Sequence, residues 1–519
     1  MAVRTFCPNK NFMQCSGGFM KLLSGYSDFI SSRQVYLKKI FGVCNMEELS
    51  LNSATAVSSV DGRYARTTKP LRQYFSEYAL QKNRLFMEVK YLEFLSENSD
   101  ITHVRSISDD ERKTLMDIIA GYNQDEFQKI KDIEKTTNHD VKSVEYYIKE
   151  KLKGTSLEDI SESTHFALTS EDCTNIAYAL MVNGAVNDVF VPKLRSVVEK
   201  LTELTDCYAN DPMLARTHGQ PASPTTVGKE FGVFSYELAK KVVKLENICI
   251  PGKLNNATGN YNALTAAYPD INGIEFSEKF LADWIELNPK FYTTQVDGYT
   301  EYSELFNVMK EINTLLEKLD WDMWSYISYN DFVQKRKEGE VGSSTMPHKV
   351  NPIQFENSAG NILIANGIFE ALNQLPKSKM QRDLSGSTML RAMGEAFGHT
   401  LIAYENTVKG LNRIEPNLDH LREILDQHPE ILSEPIQQVL RREGVAGAYE
   451  QMKELTQGRS VVVEDLSGFI EGLDIRHEVK EELYALLDPK AYLGQAPLIA
   501  KSIAKDVRLM LGLPTKQEE

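Results

Sequence analysis

The sequence predicts a mainly α-helical, all-α protein, and three observations carry the prediction. From Glu301 to Glu338 there is neither Gly nor Pro, and Leu305, Met309, Ile312, Leu316, Leu319, Met323 and Tyr326 recur at alternating spacings of four and three. Such a heptad seam marks a long helix packed nearly parallel to its neighbours in a bundle. Phe231, Phe234, Leu238, Val242, Leu245 and Cys249 draw a second stripe of the same kind, with Ser223 as the expected N-cap and Pro224 as the first helical residue. Leu85, Val89 and Leu92 repeat the pattern earlier in the chain, whereas the strict apolar-polar alternation of strands is scarce. No repeat of solenoid length and no low-complexity tract is visible.

Length and composition bound the rest. A chain of 519 residues exceeds what one hydrophobic core usually serves, so two or three packed domains are expected. With 42% hydrophobic and 25% charged residues, it has the balance of an ordinary globular protein. A net charge of −15 argues against a general nucleic-acid or anionic-membrane binder, while leaving room for a local basic pocket. No apolar run approaches the roughly 18 residues that cross a bilayer, so a soluble protein is expected. Cys7, Cys15, Cys44, Cys173, Cys207 and Cys249 form no C-x-x-C pair, which points to reduced thiols in a cytosolic or organelle-matrix compartment.

Residues 1–45 stand apart. Arg4, Lys10, Lys21, Arg33, Lys38 and Lys39 against Asp28 give this segment +5 in an otherwise acidic chain. A basic, acid-poor, serine-containing start resembles an organellar transit peptide. An untranslated stretch ahead of a true start at Met46 is the alternative.

Several familiar sites are excluded. Gly228-Lys229 looks like the end of a phosphate loop, but Ser223 stands where Gly is required and Glu230 where Ser or Thr must bind magnesium. There is no H-E-x-x-H, no G-x-S-x-G and no dinucleotide fingerprint behind a strand. His139, His165, His218 and His348 lie in polar, Gly- or Pro-punctuated segments, unlike simple helix-surface residues.

The most informative stretch is Gly339-Glu-Val-Gly-Ser-Ser-Thr-Met-Pro-His-Lys-Val-Asn-Pro352. Its glycines and serines predict a mobile loop, and Pro347 and Pro352 stiffen the far side. Asn351 is the expected cap of a helix beginning at Pro352, with Gln354 in the third position. Lys349 would then stand beside a helix N-terminus, a pairing suited to a carboxylate. Ser-Gly loops are also common linkers, so spacing alone leaves both readings open.

This segment closely resembles the signature G-S-S-x-M-P-x-K-x-N-P of the fumarase, aspartase and argininosuccinate lyase superfamily. The following Ile353-Gln-Phe-Glu-Asn-Ser-Ala-Gly-Asn361 is similar to the longer, bacterial type of the adenylosuccinate lyase family. Val60-Asp-Gly-Arg-Tyr64, Thr136-Thr-Asn-His-Asp140, Thr169-Ser-Glu-Asp172, Arg216-Thr-His-Gly-Gln-Pro-Ala222, Gly259-Asn-Tyr-Asn-Ala263, Thr293-Thr-Gln295 and Gln381-Arg-Asp-Leu384 resemble that family in order, from about Met46 to the C-terminal region.

The resemblance implies a β-elimination of fumarate from adenylosuccinate, giving AMP, and from succinylaminoimidazole carboxamide ribotide, giving AICAR. By the same resemblance Ser343 is the general base and His218 the general acid. Thr169, Ser170, Lys349 and Asn351 are expected on the succinyl carboxylates, Gln295 near the scissile bond, and Ser344 among the substrate-binding residues. Arg63, Tyr64, Arg382, Ser387 and Arg391 look like the nucleotide side, and Asn138, His139 and Asp140 complete the pocket. Asn138 and Asp140 read equally as caps or turn residues, and Tyr64 as core.

The implied fold is three helical domains, with boundaries at 46–158, 159–411 and 412–519 after the 1–45 extension. Its long central helices join a homotetramer with shared active sites. No metal or organic cofactor is implied, and neither nucleic acid nor membrane is an expected partner. Two departures stand out: Val296-Asp-Gly-Tyr-Thr300 where the family commonly carries Pro-His-Asp, and Ser385-Gly386 in place of Thr-Asp. Gly386 is expected to loosen the phosphate side. The alternatives are another lyase of the superfamily, or a non-catalytic relative, which would be expected to have lost Ser343 or His218.

Overall fold

The apolar stripes become long helices. Leu85, Val89 and Leu92 are buried in α1 (Glu77–Glu97), which opens at Ser76, whose side chain accepts from the Ala79 N–H. It packs on α2 (Ser170–Ala185), and a single π turn, Val186–Phe190, links α2 to α3 (Val191–Cys207). The second stripe lies in α4 (Val227–Glu246). Six of the seven seam residues are buried in the 29-residue α5 (Thr300–Ser328), with Tyr326 half-buried. After α6 (Ile353–Leu372) and α7 (Met393–Leu411) the described chain closes with α8 (Ala496–Leu511). The computed structural model describes residues 50–335, 339, 346 and 348–514. The 1–45 extension therefore lies outside the described residues.

Helices α3, α4, α5, α6 and α7 form a closed ring in which each packs on the next and α7 returns to α3. Close approach is built in at the α3–α4 contact: a Cβ on Gly228 would fall 2.4 Å from the Thr205 carbonyl oxygen. The residue that mimics a phosphate loop is thus a packing glycine. Helix α8 lies on α3 and α4 and places Val507 and Leu511 in the same core. A separate apolar cluster gathers residues between Leu425 and Leu483, together with Leu214. Among the described residues no helix is long and apolar enough to cross a membrane, and Cys173, Cys207 and Cys249 are free thiols.

Four local expectations shift. Ser223 and Pro224 do not start a helix: they belong to β2 (Gln220–Thr226), which pairs antiparallel with β1 (Pro212–Thr217), and Thr226 caps α4 through Lys229 N–H at 3.2 Å. The two-residue turn, His218-Gly219, has φ of 53° and 74°, the left-handed pair that matches strand twist in a tight hairpin. Cys249 falls beyond the end of α4 at Glu246. The seam helix stops at Ser328, because Asn330 turns left-handed at φ 63° and the chain enters β3 (Phe332–Gln334), paired with β4 (Ile414–Pro416). Helix α6 begins at Ile353 with Pro352 in the cap position, so Asn351 sits one residue outside it.

The chain divides into two compact units, Met1–Arg63 and Tyr64–Glu519. The described part of the first is a run of turns, tied by Asn52 Oδ1 accepting from Ala54 N–H at 2.9 Å and by Gly62 N–H donating to the Ser58 carbonyl at 2.9 Å.

Inside the ring, Asp320 on α5 is buried and, among the described residues, pairs with no cation: Oδ1 accepts from Thr407 at 3.2 Å and Oδ2 has no hydrogen-bond partner there. Burial pushes its carboxyl well above the usual range. A raised folded-state value means that the proton favours the folded chain. The group's contribution is therefore complete below the unfolded value of about 4 and is lost as pH rises through the folded value. Asp320→Asn should accordingly raise the melting temperature more at pH 8 than at pH 5. The same shift at both pH values in thermal unfolding would contradict this.

Candidate active site

Three separate stretches of the Tyr64–Glu519 unit help to line one cleft of about 760 Å³: Asn138, His139 and Asp140; Thr169 and Ser170; and Arg382, Ser387 and Arg391. The first is a joint between two helices. Asn138 ends Gln124–Thr137 in the left-handed region, φ 50°, its N–H donating to the Glu134 carbonyl at 2.8 Å. His139 then caps Asp140–Leu152, Nδ1 accepting from the Lys142 N–H at 3.1 Å. That bond leaves the proton of the neutral ring on Nε2, which faces Ser170 Oγ at 3.4 Å. Asn138 and His139 thus cap their helices and, with Asp140, also line the cleft.

Each guanidinium in the cleft is held by a carboxylate. Arg84, buried in α1, donates to Asp140 Oδ2 at 2.8 Å and to Thr174 Oγ1 at 3.0 Å. Arg391 reaches the same Asp140 oxygen at 3.2 Å and the Ser387 carbonyl at 3.2 Å. Burial works to raise the Asp140 carboxyl, but Arg84 foremost and then Arg391 hold it below its ordinary value. Arg382 pairs with Glu171 at 3.1 Å and donates to Gln295 Oε1 at 3.3 Å, so the expected nucleotide-side arginine and the expected scissile-bond amide touch. The Gln295 amide nitrogen faces Thr169 Oγ1 at 3.5 Å.

Behind this wall lies a buried polar network that the sequence reading missed. Asp172 accepts from the Thr169 N–H at 2.9 Å and pairs with Lys253 at 2.7 Å, both side chains fully buried. Lys253 Nζ also donates to the Gln295 carbonyl at 2.9 Å, and Asn175 accepts from the Lys253 N–H at 2.9 Å. One available signal is Lys253 itself, a lone charge in the apolar run Ile250-Pro-Gly-Lys-Leu254. Arg84, beside Leu85 on a core stripe, is another.

Other named residues stand elsewhere. His218 is exposed at the hairpin turn, outside the cleft lining. Its strand is anchored by Arg216, which donates to buried Asp331 at 3.1 Å and lies 4.7 Å over the Tyr329 ring. Lys349 is exposed and Asn351 half-buried just ahead of α6. The Tyr64 hydroxyl accepts from Asn357 on α6 at 2.8 Å. Arg63 is exposed at the end of the first unit. Ser343 and Ser344 lie outside the described residues.

The two departures meet in space. Gly386 is buried in the short helix Ser385–Arg391, and a Cβ there would fall 3.7 Å from the Tyr299 hydroxyl. The space beside this glycine is thus filled by the Tyr299 ring from the other departing segment.

A family model described as Lyase matches residues 62–366, and one described as Adenylosuccinate lyase C-terminal matches 378–493. The adenylosuccinate lyase of Haemophilus influenzae is 45% identical over 459 residues, 88% of this chain and 100% of the relative. Those of Escherichia coli and Dictyostelium discoideum are 45% and 43% identical, each covering 86% of this chain and 98% of the relative. Two solved structures share the fold at low identity. A fumarate lyase from Mesorhizobium sp. BNC1 has TM-score 0.70 at 17% identity, over 84% of this chain and 97% of that one. The 3-carboxy-cis,cis-muconate lactonizing enzyme from Pseudomonas putida has 0.69 at 18%, over 85% and 98%. With a lyase model over more than half of the chain, a C-terminal model particular to one branch, and relatives of that branch aligned from end to end, the chain belongs to the adenylosuccinate lyase family.

Proposed function

We propose that this enzyme is a carbon-nitrogen lyase for succinyl-amino purine nucleotides, releasing fumarate from adenylosuccinate to leave AMP and from succinylaminoimidazole carboxamide ribotide to leave AICAR in purine nucleotide biosynthesis. The observation that carries the reading is the cleft lining: the N-terminus of α2 with Thr169 and Ser170, the Nε2 face of His139, and the guanidiniums of Arg382 and Arg391 around about 760 Å³. Hydroxyls and a helix N-terminus suit carboxylates, and guanidinium forks suit a phosphate. The volume falls in the small-molecule range of about 300–1,000 Å³.

The elimination makes three demands. A base must take a weakly acidic C–H proton, donors must hold the carboxylate that receives the charge, and an acid must protonate the departing nitrogen. Ser343 is the base and His218 the acid in this reading. Thr169, Ser170, Lys349 and Asn351 hold the succinyl carboxylates, Ser344 binds substrate beside the base, Gln295 stands at the scissile bond, and Arg63, Tyr64, Arg382, Ser387 and Arg391 receive the nucleotide.

His218 lies outside the cleft of its own chain, which supports an acid supplied by another copy in a homotetramer. Exposed Leu363 and Ile364 on α6, Trp321 and Trp324 on α5 and Val233 on α4 support the same assembly, since large apolar residues on bundle helices favour a partner. The cytoplasm is the proposed location, or a plastid or mitochondrial matrix if residues 1–45 are a transit peptide.

Purified protein given adenylosuccinate should lose substrate absorbance while fumarate and AMP appear in equal amounts; no fumarate release would overturn the proposal. Arg391→Lys keeps the charge but not the planar fork, so affinity for AMP in a calorimetric titration should fall by roughly 1–3 kcal/mol. Unchanged affinity would remove Arg391 from the phosphate site.

A further inference from the structure

The wall behind Arg382 contains two buried groups to which the three demands of the elimination assign no task. Glu171, in the first turn of α2, is 3% exposed. Its Oε2 receives Arg382 Nη2 at 3.1 Å, and its Oε1 accepts from the Tyr299 hydroxyl at 3.4 Å. Tyr299 is 4% exposed, its N–H donating to Asp297 Oδ1 at 2.6 Å and its ring lying edge-on to Tyr302 at 5.7 Å. The phenol lies beside Gly386, at whose position a Cβ would fall 3.7 Å from its hydroxyl, an ordinary contact distance.

We infer that Glu171 and Tyr299 are positioning residues: they hold the Arg382 guanidinium against Gln295, so that one donor edge stays turned to the anionic substrate and the Gln295 amide stays oriented toward the scissile bond. This rests on the assignment of the cleft to succinyl nucleotides. Arg382 sits in an irregular segment between Lys377 and Ser385, where a long side chain has many rotamers and gains most from a fixed acceptor. With one nitrogen on Glu171, the next meets Gln295 Oε1. That fixes which end of the amide is the acceptor and sends its NH₂ toward Thr169. The Tyr299 hydroxyl occupies the second Glu171 oxygen and so keeps the carboxylate from turning away.

The charges facing Glu171 oppose one another. Burial raises its carboxyl, Arg382 and Lys253 lower it, and Asp297 and Asp172 raise it again, leaving it pushed up to about 7. The grip on Arg382 should therefore change with pH in the range where the enzyme is assayed.

The test is steady-state kinetics of the full-length enzyme with adenylosuccinate from pH 6 to 8.5, for the parent, Tyr299→Phe and Glu171→Gln. Tyr299→Phe keeps the ring against Gly386 and removes only the hydroxyl. Losing a hydrogen bond to a charged group should raise KM about tenfold in Glu171→Gln and severalfold in Tyr299→Phe, with kcat falling by a smaller factor than KM rises. The parent's dependence of KM on pH near 7 should be absent from Glu171→Gln. Unchanged KM in both variants, or equal falls in kcat that track lost thermal stability, would overturn the positioning role. A parent that releases no fumarate would overturn the substrate assignment and this inference with it, whereas an active parent with unaltered variants overturns the inference alone.

Discussion

Replacing Ser343 or His218 with Ala is expected to lower turnover at least about a hundredfold while the fold survives, because a positioned proton-transfer group contributes about 10²- to 10⁴-fold. Serine is a poor base until ionised, so the loss should be at the larger end if the site expels water around it. His218 is exposed at its turn, and its removal uncovers no core. The turn itself sets one complication, since φ of 53° disfavours a residue with a Cβ and no compensating polar group. His218→Asn, which tolerates that region, separates lost chemistry from a disturbed hairpin. Fumarate release measured beside circular dichroism checks both sites. Near-parental turnover in a folded variant would remove the residue from the proton-transfer role.

Lys253→Met should cost about 3–5 kcal/mol of stability, since removing one partner of a buried ion pair leaves the other charge uncompensated. The pair is Lys253 with Asp172 at 2.7 Å, both side chains fully buried. Asp172 lies at the N-terminal turn that presents Thr169 and Ser170, and the Lys253 ammonium also holds the carbonyl of Gln295. Activity should fall together with the denaturant midpoint. Adding Asp172→Asn neutralises the orphaned charge, keeps the shape, and should recover part of the loss. A single variant as stable as the parent in urea unfolding would mean that the pair contributes nothing.

The helices were legible because heptad periodicity survives in sequence: the seam from Leu305 to Met323 is buried along α5. The β1–β2 hairpin was not, since Pro212, Pro221 and Pro224 mimic helix-entry punctuation and the alternation is only a few residues long. In the cleft, the ordered motif blocks named most of the lining. The acids and bases that hold those residues were hidden, because Arg84 and Asp140 are 56 positions apart, and Asp172 and Lys253 are further still. A charge on a core stripe shows its partner only when the chain is folded. The meeting of Tyr299 and Gly386 was hidden for the same reason.

The proposed function brings acid and base to one elimination site from different copies of this chain. Its most direct measurement mixes the Ser343→Ala and His218→Ala proteins, each inactive alone, under conditions in which subunit exchange is verified. If the two groups of a site come from different chains, random reassembly leaves up to about a quarter of the sites with both intact, and fumarate release should recover to that level. If both come from one chain, no mixed site can have both, and a mixture with proven exchange and no recovered activity would contradict the account.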